Sequence, residues 1–206
     1  MELTTGQRDA LTELINIGYG RAAGALSELT GYRITLEVPE VTMHAIGEIA
    51  PMLERTIHSE VASVDQKFTG PISGNALLML DQNAALLLSH LLTDGPSKSG
   101  TLDSTGRETI TEVGNILLNA CLGVFGNLLQ VHVNFAVPRL QVDTVTEVMH
   151  SIGEQSKEKL DYGLMIHTRF FVKMGNVMGY LVIILGIASL DRLLLELGNW
   201  EQRQTA

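Results

Sequence analysis

Residues 7–31 read QRDALTELINIGYGRAAGALSELTG, and residues 105–128 read TGRETITEVGNILLNACLGVFGNL. Each carries an acidic residue, Glu four positions on, Asn three after that, and Pro twenty-three beyond the Asn. The first set is Asp9, Glu13, Asn16 and Pro39, the second Glu108, Glu112, Asn115 and Pro138, and every member is displaced by 99 positions. Four residues keeping one offset imply a duplicated unit that carries the same site twice.

Both stretches read as long helices with a 3.6-residue apolar period. The stripe is Leu11, Leu14, Ile15, Gly18, Ala22, Ala25, Leu26 and Leu29 in the first, and Ile110, Val113, Gly114, Leu117, Cys121, Val124, Phe125 and Leu128 in the second. Thr4 with Gln7, and Thr105 with Glu108, have capping-box spacing, and Gly31 suits a left-handed helix end. Extended segments follow at 33–38 and 132–137, each ended by its proline. Strands are then expected at 57–69 with 74–81, and at 164–173 with 178–185, turning at Gly70–Pro71 and Gly175–Asn176. Short apolar helices near 82–92 and 188–197 close the halves. The late segments align at an offset of 105, with the charged stretch Glu154–Asp161 read as a solvated loop. The pattern is α+β, a helix–strands–helix unit repeated with pseudo-two-fold symmetry, its long helices packed on a shared, largely antiparallel sheet. Each half is too small to bury much surface alone, so one domain spanning 1–206 is expected. Its repeats would be about 1–95 and 101–206, joined by the Gly/Pro/Ser linker GPSKSG.

A formal net charge of −9 disfavours a nucleic-acid partner. The single cysteine cannot form an intrachain disulfide, which fits a reducing compartment. The first residues lack the order of a secretory signal, and the apolar stretch Tyr180–Leu190 is too short to span a bilayer. We expect a cytoplasmic protein with no membrane partner.

At 100° per residue, Asp9, Glu13 and Asn16 fall on one strip opposite the apolar stripe, as do Glu108, Glu112 and Asn115. Exposed polar residues are ordinarily just solvated. Asn, however, is a mediocre helix former, and its recurrence at one phase calls for a reason. The six histidines have no paired helical spacing for a metal, no Gly-rich loop follows a strand, and no nucleophile sits beside a base. An Asn can hold a water, and a Glu can grip a partner's cation. That pair suits hydrolysis completed in another protein's active site, where positioning matters more than covalent chemistry.

At these residues the chain resembles the CheC/CheX/FliY family of chemotaxis phosphatases, in both spaced motifs and in the words ELINIGYGRAAGALSELTG and EVGNILLNACLGVFGNLL. The resemblance covers essentially the whole chain. It implies a CheC-like fold and hydrolysis of the aspartyl phosphate on a CheY-type response regulator. Glu13 or Glu112 would dock the regulator's lysine, and Asn16 or Asn115 would orient the attacking water. The protein would need no cofactor of its own, the Mg²⁺ being the regulator's. With both motifs intact, and with the chain ending soon after the last helix, the resemblance is closest to a stand-alone two-site CheC. Family members of that kind also bind CheD, and a homo-oligomer is open. Asp9, Gly20, Glu108 and Asn119 are expected as further partner contacts. Gly20 corresponds to Asn119, and the small residue favours the first site as the better catalyst.

Four residue groups have other readings. Cys121 is read as core, Gly18 and Gly114 as points of close helix approach, and Tyr19 and Arg21 as flanks of the first strip. The apolar segment containing Leu86, Leu87, Leu88, Leu91 and Leu92 is read as core, or else as a partner or dimer face. Rivals to the phosphatase are a non-catalytic binding or adaptor module for a response regulator, and a homodimeric structural protein.

Overall fold

The computed structural model describes residues 3–37, 40–93, 100–128, 130, 132–156, 159–172 and 175–204. Pro39 and nearly all of the expected linker lie outside the described residues. The first long helix, α1, spans Thr5–Thr30. It starts with the expected capping box: the Gln7 N–H donates to Thr4 Oγ1 at 3.2 Å, and the Thr4 N–H donates to Gln7 Oε1 at 3.0 Å. It ends at Gly31, whose φ of 72° is the left-handed conformation that glycine adopts without strain. The second long helix, α4, spans Ser104–Leu128. Its cap is Asp103 rather than Thr105, because Asp103 Oδ1 accepts the Gly106 N–H at 2.8 Å. Thr105 falls inside the first turn, and its carbonyl accepts the Thr109 hydroxyl.

Between and after these helices lie β1 (Ile34–Glu37), β2 (Val41–Ala45), α2 (Ile46–Leu53), β3 (Val61–Thr69), β4 (Gly74–Asp81) and α3 (Gln82–Thr93). The second half follows α4 with β5 (Asn134–Phe135), β6 (Arg139–Asp143), α5 (Val145–Gln155), β7 (Tyr162–Val172), β8 (Gly175–Leu185) and α6 (Ile187–Gln204). The sequence reading missed β2, β6, α2 and α5. It also took Glu154–Asp161 for a loop, where α5 runs into its start. At its far end Asp161 is half-buried, accepts the first N–H of α6 from Ile187 at 3.2 Å, and pairs with Lys159 at 3.0 Å. The second hairpin also turns earlier than expected: Val172 pairs with Gly175, so Gly175 and Asn176 are strand residues.

All pairings in the sheet are antiparallel, in the order β1-β7-β8-β4-β3-β5, with β2 also on β7 and β6 also on β3. Exchanging the halves reproduces this order reversed, which is the pseudo-two-fold. Its axis passes between β4 and β8, where Gly74–Met79 pair with Leu185–Tyr180. Phe68 faces Phe135 as Phe170 faces Leu36, so Phe170 is the counterpart of Phe68. The offset there is 102 rather than 105.

Alternation along the strands divides the core. Ala62, Val64, Phe68, Leu78, Ile166 and Phe170 face α1, α3, α4 and α6, while Val61, Leu77, Met79, Met165 and Val182 face α2 and α5. Burying one such side chain fully is worth about 1.5–3 kcal/mol. Among the described residues α4 is long and apolar enough to cross a membrane, a property the sequence reading did not assign to it. Its Ile110, Val113, Leu117, Leu118, Cys121 and Phe125 are buried in this core instead.

The two long helices pack on each other and on the sheet through glycines. A Cβ on Gly18 would lie 3.0 Å from the Cα of Cys121 on α4, and one on Gly114 would lie 2.5–2.8 Å from the Val64 side chain on β3. Gly24, by contrast, is exposed on α1 with nothing within 4 Å of such an atom. In urea unfolding we therefore expect Gly114→Ala to cost about 1–3 kcal/mol through overpacking, despite alanine's better helix propensity. Gly24→Ala is expected to add about 0.5–1 kcal/mol. Equal effects from the two substitutions would contradict the packing role of Gly114.

Candidate functional site

On α1, Asp9, Glu13, Asn16 and Gly20 are all exposed. Their neighbours in sequence, Ala10, Leu14, Ile15 and Gly18, are buried, so core packing holds the strip outward. The stripe drifts at the helix end, and Ala25 and Leu29 are exposed rather than packed. Among the described residues, the side chains of Glu13 and Asn16 make no hydrogen bond to the rest of the protein. Tyr19 does not flank the strip. It is buried, and its hydroxyl is hydrogen-bonded to Thr168 on β7. Burial drives its phenol well above the ordinary tyrosine range. Arg21 is exposed.

On α4, Glu108 and Glu112 are exposed, but Asn115 and Asn119 are half-buried. Asn115 Nδ2 donates to Glu112 Oε2 over a long 3.4 Å, and Asn119 Nδ2 donates to Asn115 Oδ1 at 2.7 Å. Asn119 Oδ1 in turn accepts from Gln66 Nε2 on β3 at 3.1 Å. Gln66 is 2% exposed and also donates to the Ala136 carbonyl at 3.0 Å. Asn119 therefore bonds within its own chain. Sequence reasoning missed Gln66, and its only local signal was a polar residue in line with the inward Ala62, Val64 and Phe68.

A cleft of about 390 Å³ lies beside the α1 strip, lined by Leu14, Ile17, Arg21, Val124, Leu128 and Trp200 among others. A second cavity of about 310 Å³ lies against Asp65, Lys67, Asn75 and Arg139. It sits on the sheet face away from Gln66, because alternate residues of β3 point to opposite sides. Burial raises the Asp65 carboxyl, against the pull of Asn75, Arg139 and Lys67. Among the described residues no group of three or more His, Cys, Asp or Glu could hold a metal ion.

The CheC-like family model matches residues 7–43, the stretch that contains the whole α1 strip. The chain is 23% identical over 168 residues to the CheY-P phosphatase CheC of Bacillus subtilis, covering 80% of each. Over the α1 strip and across most of its length the chain is similar to CheC-like proteins. It is 22% identical over 179 residues to the flagellar motor switch phosphatase FliY of B. subtilis, covering 85% of this chain and 45% of that protein. It thus spans less than half of that relative's length, and its distances from CheC and from FliY are nearly equal. The crystal structure of Thermotoga maritima FliY shares the fold at a TM-score of 0.77 and 18% identity, covering 97% of this chain and 99% of that one.

Cys121, expected in the core, is fully buried, and burial pushes its thiol far above the ordinary range. Alkylation needs the thiolate. The native protein is expected to resist iodoacetamide and to react fully in urea. Reaction under native conditions faster than global unfolding would contradict that placement. Of the short apolar helix α3, Leu88 is buried, Leu86, Leu91 and Leu92 are half-buried and Leu87 is exposed, so core packing accounts for most of its leucines.

Proposed function

We propose that this protein hydrolyses the aspartyl phosphate of a CheY-type response regulator. The observation that carries the reading is the repeated Glu and Asn one helical turn apart, set at equivalent places on two helices whose opposite faces are locked in the core. The phosphatase names of both curated relatives support it.

In this reading Glu13 or Glu112 makes a charge-assisted hydrogen bond to a lysine at the regulator's phosphorylation site. Asn16 or Asn115 then enters the site and orients a water in line with the phosphorus–oxygen bond. The metal ion that neutralises the phosphoryl oxygens belongs to the regulator. The chain supplies position rather than covalent chemistry, and positioning alone is worth large factors in rate. Asp9, Gly20 and Glu108 would meet the partner around each site. Glycine at 20 leaves the α1 backbone open to a partner's loop, since nothing stands within 4 Å of where its Cβ would be.

The test is phosphate release from a purified phosphorylated regulator. The wild type should accelerate it, and Asn16→Ala with Asn115→Ala should lower that acceleration by about a hundredfold, with the helices intact because alanine favours helix. Of the single variants, Asn16→Ala should lose more. Glu13→Ala and Glu112→Ala together should raise the half-saturating regulator concentration by about tenfold, as expected for loss of a charged hydrogen bond. Binding of the regulator with no change in its dephosphorylation rate would replace this reading with the adaptor one.

A further inference from the structure

The two motifs share a spacing but not a surrounding, and the difference lies in one chain of carboxamides. Gln66 donates both to the Ala136 carbonyl, at 3.0 Å, and to Asn119 Oδ1, at 3.1 Å. A backbone carbonyl only accepts, so it fixes which end of the Gln66 amide faces it. The same nitrogen then requires an acceptor from Asn119, which turns Asn119 Oδ1 toward the sheet and Asn119 Nδ2 toward Asn115. The Asn119 nitrogen requires an acceptor in its turn, so Asn115 presents Oδ1 to it, at 2.7 Å. What remains facing away is Asn115 Nδ2, directed at the Glu112 carboxylate. Both ends of the chain agree, since Ala136 O and Glu112 can only accept. Gln66 Oε1 is buried without a partner among the described residues, so this orientation is held at the expense of one unsatisfied acceptor.

Among the described residues nothing comparable holds Asn16. The counterpart of Asn119 is Gly20, which has no side chain. The counterpart of Gln66, two residues before Phe170 as Gln66 is before Phe68, is Thr168. Thr168 is hydrogen-bonded to Tyr19 instead. Asn16 is therefore free to turn its oxygen outward.

This matters for a water that must attack phosphorus. Such a water directs a lone pair at the phosphorus and donates a proton to the group that orients it, so the orienting group must offer an acceptor. Asn16 can offer one. Asn115, at rest, offers an N–H. Resting on the phosphatase reading above, we propose that Gln66 and Asn119 are positioning residues that hold Asn115 with its oxygen turned inward. The second motif is thereby muted for hydrolysis while its Glu112 remains available for docking.

The test isolates the second motif in an Asn16→Ala background and adds Asn119→Asp. A carboxylate at 119 still accepts from Gln66 but presents a second acceptor to Asn115, which must rotate and bring Oδ1 outward. Phosphate release by the second motif should then rise by about fivefold, the factor one net hydrogen bond holds in an orientational equilibrium. Asn119→Ala, which cuts the chain and favours helix, should give a rise of the same sign. A purely structural Asn119 would predict no change or a loss in both variants, and that result overturns the proposal. Proton NMR reads the orientation without any enzymatic assay. The Asn115 Nδ2 protons should lie near Glu112 in the wild type and near residue 119 in Asn119→Asp, and unchanged contacts would equally overturn it. A wild type that leaves the phospho-regulator untouched sinks the phosphatase reading instead, and the carboxamide chain is then judged by the NMR arm alone.

Discussion

The ladder between β4 and β8 is the contact on which the rest depends. Residues Gly74–Met79 pair with Leu185–Tyr180 across the pseudo-two-fold and make one sheet of two halves. The exchange goes further, since β1 and β2 of the first half pair with β7 of the second, while β5 and β6 of the second pair with β3 of the first. Neither half keeps its own outer strands. Separating them would expose strand edges and apolar faces on both sides, at about 25 cal/mol per Å² of apolar surface.

That shared sheet is the platform for the two long helices. Close approach at Gly18–Cys121 and Gly114–Val64 brings backbone near backbone and side chain, and buries the stripes containing Leu11, Leu14, Leu117 and Phe125. With those faces fixed, a residue half a turn away has no choice but to face outward. The Glu and Asn strips are in this sense a by-product of core packing. The fold positions them with the precision of a packed interior.

Symmetry of backbone did not preserve symmetry of chemistry. At equivalent places under the two motif helices, the sheet offers Thr168 to one and Gln66 to the other. Thr168 meets a buried tyrosine hydroxyl and leaves the α1 strip untouched. Gln66 is long enough to reach past the helix underside to Asn119, and through it to Asn115. The two equivalent strips thus differ in polarity because of residues that lie outside the motif.

Much of this was legible in the chain itself. The repeated Asp/Glu-x3-Glu-x2-Asn spacing and the 3.6-residue stripes fixed both long helices, their phase and the duplication, because helical periodicity is a local property. Gly31 and the Thr4–Gln7 box announced one helix's ends for the same reason. The helices α2 and α5, in stretches to which the sequence reading assigns no element, escaped: α2 is short and carries Pro51, and the local signal for α5 is little more than the Thr144 cap at Glu147. The hairpin register at Val172–Gly175, the burial of Tyr19 and the capping of α4 by Asp103 depended on neighbours distant in sequence or on where a helix starts. Sequence alone determined which residues could share a helix face. Only the tertiary structure decided which face met a glycine, a tyrosine or a buried glutamine, because those meetings join residues such as Gln66 and Asn119 that lie 53 positions apart and touch only once the sheet is assembled.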